Sequence, residues 1–192
     1  MMSAHTVRFY FDYGSPYSYI ASHRSEEIAS RRARNCSGCP SYWAEYSRAA
    51  KFNRRKYLFE DVRDLSVFYG IPYKERTVFL FKPVLALRAT LAVPRGPERA
   101  RAVHALFQGA FADDLDLAQP AVVMDLLDGA GFDGAALVAR AQEPQIKDEL
   151  RAITDEAIAK SVFGAPTFIV DDGKMSGGQD RLPLLEHYLL SG

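Results

Sequence analysis

Few residues in this chain combine a reactive side chain with a spacing that would put it to use. The first is Ser15, within FYFDYGSPYSY at residues 9–19. A serine directly before Pro16 is the pairing expected of a helix N-cap followed by proline at the first helical position. A hydroxyl there sits beside backbone N–H groups and the positive end of a helix dipole, so Ser15 is either a simple cap or a donor to an anionic group. The second candidate is Cys36-Ser37-Gly38-Cys39, because Cys-x-x-Cys at a helix start lowers a thiol pKa and supports redox chemistry. Its place after the first helix, where a strand is due, argues against that use. The four histidines, His5, His23, His104 and His187, lie far apart without Asp, Glu or Cys at ligand spacing. No metal site is read from them, and His104 reads as a helix-face residue. Neither a Gly-rich nucleotide loop nor a Gly-x-Ser-x-Gly elbow occurs.

The elements that must position Ser15 begin with a strand, where Val7, Phe9 and Phe11 alternate with Arg8 and Tyr10. A helix from Pro16 carries Ile20, Ala21, Ile28 and Ala29 on one side. After an irregular stretch, Leu58, Val62, Leu65 and Tyr69 are spaced as a helix stopped by Gly70 and Ile71-Pro72. Further helices follow: KPVLALRATLAV closed by Pro94, one from Pro97 with Ala100, Val103, Phe107 and Ala110 along a face, one from Pro120 to Gly131, one from Gly134, and one from Pro144 to Lys160. TFIV and KMS then flank Asp171-Asp172-Gly173, a hairpin signal, and Gly177-Gly178 lead to a last helix with Leu182, Leu185 and Leu189 on one face. The predicted class is α/β: a thioredoxin-like fold with an inserted all-helical lobe, residues 1–52 and 161–192 forming the first unit and 53–160 the second. That order requires the irregular stretch to supply a second strand. It also brings Ser15 against Ala165-Pro166.

With 192 residues, 48% of them apolar, the chain can bury a substantial core. Acidic and basic residues balance at 24 each, which disfavours nucleic acid or an anionic membrane as partner and suits a small neutral or zwitterionic ligand. No run reaches transmembrane length and the N-terminus has no signal-peptide pattern, so a cytoplasmic location is expected. Two cysteines are too few for a disulfide framework.

At FYFDYGSPYSY, and again from SVFGAPTFIV through GGQDRLPLLE, the sequence resembles the 2-hydroxychromene-2-carboxylate isomerases, which belong with the kappa-class glutathione transferases and, more distantly, the bacterial periplasmic disulfide oxidoreductases. Weaker collinear similarity runs through RRKYLFEDV, YGIPY, LALRA and AQEPQIKDELRAITDEAIAKSVFG, leaving out about residues 32–52. Where the oxidoreductases carry Cys-x-x-Cys, this chain has Ser15-Pro16-Tyr17-Ser18. A serine cannot exchange disulfides, but its hydroxyl can favour the thiolate of another molecule. The resemblance implies that this molecule is glutathione, with its thiolate against Ser15, its backbone paired with Ala165 before a cis Pro166, and its γ-glutamyl end held by Gln179 and Asp180. Taken singly, Pro166 is equally a strand-entry proline and Asp180 a helix cap. The implied reaction is glutathione-dependent cis–trans isomerisation of a small aromatic catabolite. A transferase conjugating glutathione to electrophiles is the alternative, and a homodimer is implied. Arg54, Lys82 and Arg88 are candidates to bind the substrate, or are surface charges. Arg54 stands where the family usually has lysine, and Lys82 where it often has asparagine.

The irregular stretch lacks the family's apolar strand, Trp-x-Pro-x-Leu-Leu-Gly-Gly followed by an aliphatic residue and phenylalanine. Joining the third base of each codon to the first two of the next, residues 42–47 force leucine, glycine, glycine or arginine, isoleucine or valine, then phenylalanine or leucine. With permitted codons, residues 34–50 become ELQWVPILLGGIFKGG in that frame. A pair of compensating frame changes is inferred. RNCSGCPSYW, in its own frame, has neither the alternation nor the apolar run of a central strand, and burying Arg34, Asn35 or Ser37 unpaired would cost roughly 1–3 kcal/mol each. The segment is therefore expected to be strained or poorly ordered, with a product lacking its second strand as one outcome.

Overall fold

The structure is a computed structural model that describes residues 6–32, 35–41, 52–77, 82–171 and 173–191. Strand β1 (Thr6–Phe11) leads into helix α1 (Pro16–Arg32) and strand β2 (Asn35–Pro40). Helices α2 (Phe52–Tyr69), α3 (Val84–Ala92), α4 (Pro97–Phe111), α5 (Pro120–Gly129), α6 (Gly134–Arg140) and α7 (Pro144–Ala159) follow. The chain returns through β3 (Thr167–Val170), β4 (Lys174–Gly177), a single 3-10 turn (Gln179–Arg181) and α8 (Leu182–Ser191). The sheet order is β2-β1-β3-β4, with β1 parallel to β2 and the other pairs antiparallel. This is the α/β arrangement expected, a thioredoxin fold with helices inserted between β2 and β3.

Local chemistry accounts for most element ends. Proline opens α4, α5 and α7 at the first turn, where its missing N–H costs nothing. Asp133 caps α6 by accepting from the Ala136 N–H at 2.8 Å. Gly70, at φ 66°, ends α2 in the left-handed conformation that glycine adopts without strain. The face expected on α4 is shifted: Ala100 is exposed, and Arg99 is the buried residue. Its Nε and Nη2 donate to the Val93 carbonyl at 2.9 and 2.7 Å, and Nη2 also donates to that of Leu91, satisfying acceptors just beyond and within the last turn of α3.

One core joins the sheet to the inserted helices. Phe9 stacks on Phe168 across β1 and β3, with ring centroids 4.7 Å apart. Phe11, Tyr13, Tyr19, Phe107 and Phe111 continue the aromatic contacts from β1 through α1 into α4. Such pairs add about 0.5–1.5 kcal/mol each beyond the area they bury, and Tyr19 on Phe111 holds α1 against α4. Within that core the Tyr13 and Thr90 hydroxyls share a 2.7 Å hydrogen bond, which ties the turn after β1 to α3.

The irregular stretch behaves differently from the expectation. Asn35–Pro40 forms β2 in its own frame, in register with the whole of β1, so the second strand is present. Among the described residues the strand lies at the sheet edge rather than in its centre. An edge strand has a single ladder to satisfy, and backbone groups make it whatever the side chains are. Gly38 assists, because a Cβ there would approach Phe11 Cε1 to 3.2 Å. Residues 33–34 and 42–51, on which the rest of that expectation falls, lie outside the described residues.

Candidate functional site

Ser15 is delivered by a short turn built on Asp12, a residue that neither the strand nor the helix pattern singles out. The buried Asp12 carboxylate accepts the Gly14 N–H at 2.8 Å and the Asp12 carbonyl accepts the Ser15 N–H at 2.9 Å, an Asx-type turn that reverses the chain between β1 and α1. Asp-x-Gly after an apolar strand is the signal that could have identified Asp12. Ser15 then caps α1, since its Oγ accepts the Ser18 N–H at 3.2 Å. The same oxygen donates its proton to the Ala165 carbonyl at 3.0 Å. Ser15 is thus both the cap and a half-buried donor aimed at the loop before β3.

That loop meets Ser15 as expected, and the Ala165-Pro166 peptide is cis. Thr167 Oγ1 donates to the Gly164 carbonyl at 2.7 Å and fixes the loop from within. The Pro166 carbonyl accepts the Gly178 N–H at 2.9 Å, which draws the turn after β4 alongside. Gln179, half-buried, and Asp180, exposed, follow Gly178 directly. Ser15, Ala165 and Pro166 are therefore in direct contact through hydrogen bonds and chain continuity, and Gln179 and Asp180 join them through one backbone bond. Asp180 also pairs with Arg181 at 3.5 Å.

The three cationic candidates are less closely grouped. Lys82 is exposed and precedes Pro83, whose ring carbon would lie 4.0 Å from a Cβ on Gly14, so the start of α3 abuts the turn before Ser15. Arg88 lies about a turn and a half further along α3, half-buried, with Nε lacking a hydrogen-bond partner. Arg54 belongs to α2, and its side chain lies outside the described residues. Beyond these, Tyr17 in the first turn of α1 donates to Asp61 Oδ2 at 2.7 Å and couples α1 to α2. Ser18, in the slot of the second cysteine of a redox pair, is fully buried with no hydrogen-bond partner for its hydroxyl.

The chemistry open to this corner follows from its donor set. A hydroxyl at a helix start, a peptide carbonyl turned toward it and a second loop with carboxamide and carboxylate side chains suit a small peptide-like thiol or carboxylate. Disulfide exchange is not available at this helix start, because both serine positions lack sulfur. Nor can Cys36 and Cys39 form a disulfide within β2. Three residues apart in an extended strand, their Cα atoms are separated by about 10 Å, beyond the 7 Å or so that a disulfide spans.

The other grouping that sequence spacing concealed is His23 with His104. Their rings meet between α1 and α4 at 4.7 Å, inclined by 70°. Burial, and then the neighbouring His104, push the His23 pKa down to about 4.

The DsbA-like thioredoxin domain matches residues 6–190 of the chain. A 2-hydroxychromene-2-carboxylate isomerase from Sphingobium xenophagum is 28% identical over 195 residues, covering 96% of this chain and 98% of that protein. Among solved structures, a selenomethionine 2-hydroxychromene-2-carboxylate isomerase superposes with a TM-score of 0.86 at 22% identity, over 96% of this chain and 94% of the other. The cytosolic disulfide reductase DsbM from Pseudomonas aeruginosa with GSH gives 0.72 at 15% identity, over 97% and 98%. The similarity read from FYFDYGSPYSY and SVFGAPTFIV thus extends over almost the whole chain.

Proposed function

This chain belongs to the DsbA-like thioredoxin domain family, and from that premise we propose that it is a glutathione-dependent isomerase. Its substrate would be 2-hydroxychromene-2-carboxylate or a similar small aromatic catabolite. The observation that carries the reading is the hydrogen bond from Ser15 Oγ to the Ala165 carbonyl, because it brings together a thiolate-favouring donor and a backbone acceptor at the position where redox relatives would carry sulfur. The residues present fit glutathione: a hydroxyl donor at a helix start, a peptide group for its backbone, and the half-buried Gln179 with Asp180 for its γ-glutamyl ammonium and carboxylate.

When bound, glutathione would supply a thiolate able to add to a conjugated double bond and leave again after rotation, without net oxidation or reduction. The role of Ser15 is to turn its proton from Ala165 to the sulfur, favouring the charged form with help from the α1 dipole. Ala165 and Pro166 orient the peptide, and Gln179 and Asp180 fix its far end. Lys82 and Arg88 are the described cations able to meet the carboxylate or developing oxyanion of the substrate, with Arg54 on α2 as a third. The relative named as an isomerase supports this reading above the transferase alternative. The two separate experimentally, because an isomerase requires glutathione and returns it. Free thiol should be undiminished after many turnovers, and a loss of one thiol per product would identify a transferase.

A further inference from the structure

Phe163 is 75% exposed, although it lies in the loop that leads into Ala165 and Pro166. Its ring tip rests on β4: a Cβ built on Gly177 would come 2.9 Å from Phe163 Cζ and 3.5 and 3.7 Å from the two Cε atoms. Gly177 is not among the glycines with positive φ, so its backbone conformation does not demand glycine. What a side chain at this position would meet is the tip of the Phe163 ring, which would have to shift. The residue that follows, Gly178, has φ of 106° and donates its N–H to the Pro166 carbonyl, so the ring bears on the corner that joins β4 to Gln179 and Asp180. The loop beneath the ring is itself fixed by the Thr167 to Gly164 hydrogen bond.

We propose that Phe163 is a positioning residue for the peptide thiol, acting through the bare Cα of Gly177 to set Gln179 and Asp180 opposite Ala165. The inference rests on the glutathione reading above and assigns a specificity role to a residue outside the hydrogen-bonded site. A ring whose tip lies 2.9 Å from where a Gly177 Cβ would stand limits how far the corner moves toward the loop. Without the ring, the corner is left to the β3–β4 ladder at Gly177 and the single Gly178 to Pro166 hydrogen bond, and the γ-glutamyl grip beyond Gly178 is free to drift further. Adding a methyl at Gly177 has the opposite fault, pushing the ring and the corner apart.

The test is a double-mutant cycle on the full chain with F163A, G177A and the double variant, read by glutathione affinity, by turnover at saturating glutathione and by exchange of the Gly178 amide in the absence of ligand. Each single variant is expected to weaken glutathione about tenfold while saturated turnover stays within about twofold. Gly178 exchange should accelerate in F163A. G177A should cost nothing further once Phe163 is alanine, since the clash it creates has gone. Additive losses, or F163A with wild-type affinity and wild-type exchange, would overturn the inference. Absence of glutathione binding by the unaltered protein would instead overturn the reading on which it rests, and the inference with it.

Discussion

Acidification should loosen the junction between α1 and α4 through a single histidine pair. His23 and His104 pack ring against ring, and the Tyr19 ring meets His23 edge-on at 5.0 Å. His23 Nε2 and His104 Nδ1 are both buried without a hydrogen-bond partner. The nearest cation on α1, Arg24, is directed away, its guanidinium lying 4.3 Å over the Tyr69 ring and donating to its hydroxyl. The His23 pKa of about 4 lies below the unfolded value of 6.5, so the unfolded chain binds the extra proton over the interval between them. Stability from the neutral His23 ring is complete above about pH 6.5 and is lost as pH falls toward 4. At about 1.4 kcal/mol per unit the ceiling is roughly 3 kcal/mol, and the half-exposed position of His23 reduces it to about 1–2 kcal/mol. Urea unfolding of the parent and of His23→Phe at pH 7.5, 6.0 and 4.5 measures it. The parent should lose about 1–2 kcal/mol more than the variant over that range. Parallel pH profiles would refute the assignment of acid sensitivity to His23.

Ser15→Ala should reduce turnover about a hundredfold while changing glutathione affinity only a few-fold, because the hydroxyl is proposed to favour the thiolate rather than to hold the tripeptide. Its loss as a helix cap is measured separately, as about 1 kcal/mol of unfolding free energy, and unchanged turnover in a folded variant would remove Ser15 from the mechanism. Replacing Cys36 and Cys39 together by serine should leave glutathione-dependent activity where it was, since β2 spacing prevents their pairing. A fall in activity accompanied by measurable disulfide reduction in the parent would return those cysteines to the site.

Much of this arrangement was legible in the residues because it depends on local rules. The alternation from Val7 to Phe11, Ser15 before Pro16, and proline at the starts of α4, α5 and α7 each specify an element through backbone sterics, and their order restricts the topology. The meeting of Ser15 with Ala165 followed from that topology. Other features were hidden because they depend on contacts between distant segments. Arg99 reads as an exposed helix charge until the carbonyls of Leu91 and Val93 are seen beneath it. His23 and His104 share no sequence spacing, and only the packing of α1 on α4 joins them. Asn35–Pro40 misled in the opposite sense: its polar side chains speak against a central strand, but an edge strand paired along all of β1 is stabilised chiefly by its backbone. The role of Asp12 is written in the sequence as Asp-x-Gly, but that spacing alone does not tie it to the serine it positions.

The Ser15 corner is proposed to hold glutathione as a thiolate. Ultraviolet absorbance of the thiolate, titrated against pH on the one-to-one complex of protein and glutathione, measures this directly. Half-ionisation is predicted well below the ordinary thiol value of about 8.5 in the parent, and a return toward that value in Ser15→Ala. Bound glutathione that ionises as it does free in solution, or equally in the parent and the alanine variant, would show that Ser15 does not favour the thiolate.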